Sequence, residues 1–334
     1  NYILLKSNNS IKSLFKYFFV NIFSIKNFLD IYTVFISVKF FLDTQHYESI
    51  LKQYKSLKLF IIDNETQAPK AFLLALKKLN IKIVALEERS LIKYNFGGSF
   101  IGDVYLSSSK YFCKKKYFIV NKNIPIGYPR TDQMSKYKSG KNFILILGLL
   151  GDNNFYNQKN EILINWESQL FFINQIINLC NSYKQEQFIL RYKTIEWMKS
   201  KYFLDVRKKI LQTKNLEIND DAFSTYKLAQ QSKLIVSHYS TIVEEMIFVK
   251  KPILVFDYSN NFTYIFKNTI RNGSIPFIFC NSYQELVKKF ERVLYNKKFK
   301  FNLLNSLRKF MKQPKYLFKS KKTLLKKLES YLQH

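Results

Sequence analysis

The chain has 334 residues, 47% of them apolar and 17% aromatic, with 54 basic against 24 acidic side chains and a formal charge of +30. That length exceeds the size at which one hydrophobic core keeps growing, so two domains are expected, and the apolar share is enough for substantial cores. No uncharged run approaches the roughly 20 residues of a membrane-spanning helix, and three histidines distant from every cysteine exclude zinc-ligand spacing, so no metal site is expected.

The charge suggests nucleic acid or an anionic membrane. The basic residues are overwhelmingly lysine, however, beside abundant Asn, Ile, Phe and Tyr. That joint bias is what an AT-rich genome writes into any protein, so the lysines are read first as a solvated surface. Cys113, Cys180 and Cys280 are odd in number and far apart, which reads as buried thiols in a reducing compartment. The chain opens on Asn1 rather than Met, so its start is not taken as the native one and no targeting segment is assigned.

Leu14 to Leu42 is strongly aromatic, as in YFFVNIFSI and IYTVFISV, and is interrupted by Lys26, Asp30 and Lys39. It is expected to form an amphipathic helix and a strand of a core, with a membrane-surface contact as the alternative. KLFIID (Lys58–Asp63) reads as a strand, APKAFLLALKKLN as a helix with Pro69 in its first turn, and IKIVALEE (Ile81–Glu88) as the next strand. DVYLSSS follows the glycines of FGGSFIG as another strand. Such alternation argues for a parallel sheet with right-handed crossovers. The stretch IPIGYPRTDQMSKYKSGK (Ile124–Lys141) has Gly, Pro, Ser and charge without an apolar period, as expected of a linker.

Beyond the linker the alternation restarts. NFILILGLL, QFILRYK, LIVS, PILVFD and IPFIFC are expected strands. ESQLFFINQIINLCNSY, AFSTYKLAQQ, TIVEEMIFV and SYQELVKKFERVLYN are expected helices, the last with Ser282 and Glu285 at capping-box spacing. Two more basic helices close the chain. The simplest architecture is α/β with two units joined near Ile124–Lys141.

His238, Tyr239, Ser240 and Thr241 stand where the strand LIVS gives way to a helix. Ligands of open parallel sheets bind outside the carboxyl ends of the strands, and hydroxyls beside free helix N–H groups suit a phosphate or pyrophosphate. Glu244 and Glu245 fall one turn on, where a carboxylate could accept from ribose hydroxyls. The same spacing is also a capping pattern, so both readings stand. Arg191 and Lys193, at the end of a neighbouring strand, are two positive groups that could face a diphosphate. Asp220 and Asp221 read as turn residues.

IPIGYPRTDQM, followed by NDDAFSTYKLAQQSKLIVSHYSTIVEEMIFVKKPILVFD, resembles the CDP-glycerol glycerophosphotransferase group and the wider GT-B glycosyltransferases. The counterparts are Gly127, Pro129, Arg130 and Asp132, then Tyr239, Ser240 and Thr241, then Lys251 and Pro252. The resemblance covers roughly Ile81 to Asp257. It implies two Rossmann-like domains facing a cleft: residues 1–135 on the acceptor side; 136–310 binding a nucleotide sugar; and 311–334 a helix returning to the first domain. It further implies donor binding by Arg130, Tyr239, Ser240 and Thr241, to which the strand-end reading adds Arg191 and Lys193. STIVEE is similar to the nucleotide-sugar epimerase version, which implies a ribose role for Glu245 more than for Glu244.

The departures are specific. The group's acceptor-side histidine is replaced by Glu87, Glu88, Arg89 and Ser90, its His-Pro by Tyr192 and Lys193, and its Asp before Tyr by His238. Glu87 or Glu88 would suit a general base on an acceptor hydroxyl, with His238 or His46 as the other candidates. The expected function is transfer of a glycosyl or glycerophosphate group from a nucleotide-activated donor in surface-polysaccharide biosynthesis, with no resident cofactor. The expected acceptor is a glycan or lipid-linked molecule, met in the cytoplasm or at the cytoplasmic face of the membrane through peripheral contact with anionic lipid. No nucleic acid is expected. The alternatives are a nucleotide-sugar epimerase on the same fold and a non-catalytic basic protein that binds nucleic acid or a membrane surface.

Overall fold

The computed structural model describes residues 28–63, 68–87, 100–108, 118–148, 166–192, 199, 201–221, 224–238, 240, 242–258, 277–310 and 320–332. Glu88, Lys193, Tyr239 and Thr241 lie outside the described residues, as does Cys113. Two compact units divide the chain, the second opening at Pro125. That point is ahead of the 135/136 boundary drawn from the sequence. The 3-10 segment Pro129–Lys136 packs on helices of the second unit and so belongs to it.

The first unit contains α1 (Phe28–Leu51), β1 (Leu59–Ile62), α2 (Lys70–Lys78), β2 (Lys82–Leu86), β3 (Phe100–Ser107) and β4 (Phe118–Pro125). Its sheet has the order β1-β2-β3-β4, with β1, β2 and β3 mutually parallel. Helix α2 buries Leu73, Ala75 and Leu76 in one core with Ile83, Ala85, Phe100 and Tyr105. Asn80 follows it at φ 58, the left-handed turn that Asn tolerates, and so ends the helix before β2. Asp103 on β3 receives Lys77 Nζ at 2.5 Å and the Ile83 N–H at 2.8 Å, tying helix to sheet.

One expected element is corrected. Of the helix and strand expected over Leu14–Leu42, the described part, IYTVFISV included, lies within α1, a single 24-residue helix. Runs of Ile, Val and Phe satisfy either period, and tertiary context decides between them. Here α1 packs on α2, Lys39 pairs with Asp43 one turn on at 2.9 Å, and Lys78 reaches Glu48 at 2.8 Å.

The second unit holds β5 (Phe143–Leu147), α3 (Trp166–Ser182), β6 (Gln187–Arg191), α4 (Leu204–Gln212), β7 (Leu216–Asn219), α5 (Thr225–Gln231), β8 (Leu234–Ser237), α6 (Ile242–Phe248), β9 (Ile253–Phe256) and β10 (Phe279–Cys280). Helices α7 (Tyr283–Tyr295), α8 (Lys297–Phe310) and α9 (Ser320–Leu332) follow, and α9 packs on the 3-10 segment. The Ser282 hydroxyl accepts from the Glu285 N–H at 3.2 Å and caps α7, as its spacing predicts. All strand pairs of the order β10-β9-β8-β5-β6-β7 are parallel. The strands β5, β6, β8 and β9 are nearly all apolar and buried, as a sheet covered on both faces requires. Helix α4 and strand β7 have no counterpart in the elements expected from the sequence.

No described helix is long and apolar enough to cross a membrane. No group of three or more described His, Cys, Asp or Glu residues could hold a metal ion. Cys180 and Cys280 are fully buried, and burial pushes each thiol up to about 12.

Candidate functional site

Numbered within the second unit from β5 onward, its strands run 3-2-1-4-5-6 from the β7 edge, the doubly wound dinucleotide-fold order. The order reverses between β5 and β8. Crossovers leave to opposite sides there and open a crevice at the carboxyl ends of the two strands. Leu147 pairs with Ser237 on β8 and with Arg191 on β6, so Gly148, His238 and Tyr192 all emerge at the same level.

A buried polar chain lines this level. The His238 N–H donates to the Leu147 carbonyl at 3.0 Å, and the Gly148 N–H to that of Arg191 at 3.1 Å. The Tyr192 ring lies over Gly148, where a Cβ would stand 1.9 Å from its Cε1. Its hydroxyl reaches Gln169 Oε1 at 3.5 Å, and Gln169 Nε2 lies 2.9 Å from His238 Nδ1. With Nδ1 accepting from the amide, the imidazole is neutral and carries its proton on Nε2. Phe172 and Tyr258 pack against the ring at centroid distances of 5.0 and 5.5 Å, Tyr258 nearly parallel at 5°. His238 is only 1% exposed, and burial lowers its pKa to about 3. Burial thus favours the neutral imidazole, which holds the strand end through its backbone N–H and Gln169.

Ser240 follows. Its hydroxyl oxygen accepts from the Ile242 N–H at 3.3 Å, which is the capping geometry of the two readings its spacing allowed. Arg191, at the end of β6, is 4% exposed. Burial lowers its pKa, while Asp221 and Asp220 act in the opposite direction. The two aspartates are therefore electrostatic partners of Arg191 as well as turn residues.

Arg130 and Glu245, far apart in sequence, meet at Tyr226. The Ser224 hydroxyl closes the turn from β7 into α5, donating to Asn219 Oδ1 at 2.6 Å, and so sets where Tyr226 emerges. The Tyr226 hydroxyl donates to Glu245 Oε2 at 2.6 Å. Burial, then Glu245, raises the Tyr226 pKa, and Arg130, through charge and a side-chain hydrogen bond, opposes that rise. Arg130 is carried by the 3-10 segment, which packs on α5 and is anchored on α6 by Tyr128 against Phe248 at 5.5 Å. Glu244 and Glu245 are both buried, at 1% and 6% exposure. The Lys-Pro pair after α6 has a structural use. Lys251 Nζ donates to the carbonyls of Gln230 and Ser232 at the end of α5, and burial lowers its pKa to about 8.

Glu87 follows β2 in the first unit, half-buried, its N–H donating to the Leu106 carbonyl at 3.0 Å. Gln169, Tyr192, Tyr226 and Tyr258 were not assigned from the sequence. Tyr192 stands out there only as a departure from the family's His-Pro, and Gln169 is one of several polar residues in its helical stretch.

No protein-family model matches the chain, and no curated protein matches it in sequence. Solved structures do match in fold. The UDP-GlcNAc 2-epimerase of Neisseria meningitidis, bound to UDP-GlcNAc, is 13% identical with a TM-score of 0.53 over 88% of this chain and 82% of that one. The S. aureus MnaA–UDP structure is 15% identical with a TM-score of 0.54, over 98% and 87% of the two chains. The Methanocaldococcus jannaschii UDP-GlcNAc 2-epimerase, in complex with UDP-GlcNAc and UDP, is 14% identical with a TM-score of 0.50, over 88% and 81%. The chain has the GT-B fold, an α/β architecture of two Rossmann-like units.

Proposed function

We propose that the chain is a nucleotide-sugar enzyme whose second unit takes the nucleoside diphosphate of an activated donor at the β5/β8 switch point. It transfers a glycosyl or glycerophosphate group in surface-polysaccharide assembly. The observation that carries this is the meeting of the reversal of strand order with Ser240, Arg191 and the Arg130–Tyr226–Glu245 cluster in one unit. Cationic groups and backbone N–H donors compensate charge on a departing diphosphate, and a carboxylate accepts from ribose hydroxyls. The order of the segments around Gly127–Asp132, Tyr239–Thr241 and Lys251–Pro252 supports transfer. A base on the acceptor side would come from Glu87 or Glu88.

Epimerisation of the donor sugar is the second reading. It is favoured by the kind of structures the chain is like, which are UDP-GlcNAc 2-epimerases bound to UDP-GlcNAc or UDP. The two chemistries part cleanly. Inversion at a carbon bearing hydrogen breaks a C–H bond, so incubation with UDP-GlcNAc in heavy water should place deuterium on the sugar for an epimerase. A transferase should leave the sugar unlabelled and release the nucleotide only when an acceptor is present.

Donor binding itself is tested by Ser240→Ala combined with Thr241→Ala. Removing a cap costs about 1 kcal/mol of stability. The double variant should also bind UDP, CDP and their sugar or glycerol conjugates at least about tenfold more weakly, the loss of one good hydrogen bond. Lower stability with unchanged titration curves would leave capping as the sole role of the pair.

A further inference from the structure

A guanidinium has only donors to offer, and a tyrosine hydroxyl has one proton. With Arg130 donating to the Tyr226 oxygen, the phenolic proton is directed to the other neighbour, Glu245 Oε2, 2.6 Å away. The three side chains come from the 3-10 segment, α5 and α6, so the carboxylate is fixed by elements that its own helix does not include. A carboxylate accepts along about four lone-pair directions, so one held oxygen fixes its plane without exhausting its capacity.

We propose that Tyr226 is the positioning residue of the nucleotide site: locked by Arg130, it orients the Glu245 carboxylate for the vicinal hydroxyls of a ribose. The inference rests on the reading that the second unit takes a nucleoside diphosphate. It assigns Arg130 a place one step removed from the ligand, acting through Tyr226. It also explains why an ionisable phenol serves. Burial and Glu245 hold Tyr226 well above its ordinary range, so it stays a donor at any working pH.

The test is calorimetric titration of the full chain with UDP and CDP and with their 2′,3′-dideoxy counterparts. Wild type should prefer the ribose forms by about tenfold or more, since an oriented acceptor left without its hydroxyls is penalised. Tyr226→Phe keeps the ring. It should weaken the ribose forms by about tenfold while leaving the dideoxy forms unchanged, so that the discrimination collapses. Glu245→Gln should add little in the Tyr226→Phe background, because the two residues act as one unit. Equal weakening of ribose and dideoxy forms would mean a general structural role and would overturn the proposal, as would unchanged discrimination. Failure of wild type to bind either nucleoside diphosphate would overturn the nucleotide reading itself, and this inference with it.

Discussion

Gly148→Ala should destabilise the second unit by about 3 kcal/mol, the upper end of what an added methyl costs in a packed core. A Cβ at this position would stand 1.9 Å from Tyr192 Cε1 and 2.0 Å from Cζ, far inside contact distance. The ring cannot step aside easily. Tyr192 is 1% exposed, and its hydroxyl is engaged with Gln169, which in turn holds His238. Displacement would therefore disturb the whole polar chain at the switch point. Urea denaturation measures the loss. The same substitution made in a Tyr192→Ala background should cost less than about 1 kcal/mol, because the obstacle is gone. A single variant as stable as wild type would show that the tyrosine does not occupy the space over the glycine.

This pair shows how unevenly the site is written in the sequence. Strands β5, β8 and β9 are legible because a doubly covered parallel strand must be apolar at every position. Ser240 and Glu245 are legible because local spacing places them one turn apart at a helix mouth. Gly148 and Tyr192 are contiguous with readable strands, yet nothing local says that one packs over the other. Tyr226 is less visible still. Its partners are 96 residues before it and 19 after it, and only the fold brings Arg130 and Glu245 to it. The Rossmann order was also out of reach without β7. LEIN is a four-residue edge strand whose alternation is matched by many loops, and α4 ahead of it is short and lysine-rich. In α1 the opposite problem arises: its β-branched and aromatic run fits a strand locally, and packing on α2 decides for helix.

Acid should unfold the protein through His238 well before most carboxylates are protonated. Burial lowers the folded pKa from 6.5 to about 3, so the unfolded chain binds a proton that the folded chain refuses. The stability gained from the neutral imidazole is complete above the unfolded value. It falls as pH drops below about 6.5, at roughly 1.4 kcal/mol per pH unit, until the folded value is reached. Between pH 7 and pH 4.5 the loss is on the order of 2–3 kcal/mol, a large part of an ordinary domain's stability. Among the described residues, Tyr258 stacks on the imidazole and Tyr192 is joined to it through Gln169, and burial raises the Tyr192 pKa, so that phenol stays neutral in this range. Gln169, which meets Nδ1, adds no charge that would offset the cost of an imidazolium. His238→Phe keeps an aromatic ring between Phe172 and Tyr258 but cannot be protonated. It should lower stability at pH 7, by loss of the Gln169 bond, and flatten the dependence between pH 7 and 4.5. Urea midpoints across that range decide the matter: parallel slopes for the two proteins would mean that His238 is not the group responsible, and a histidine readily charged in the folded state would again be available for proton transfer.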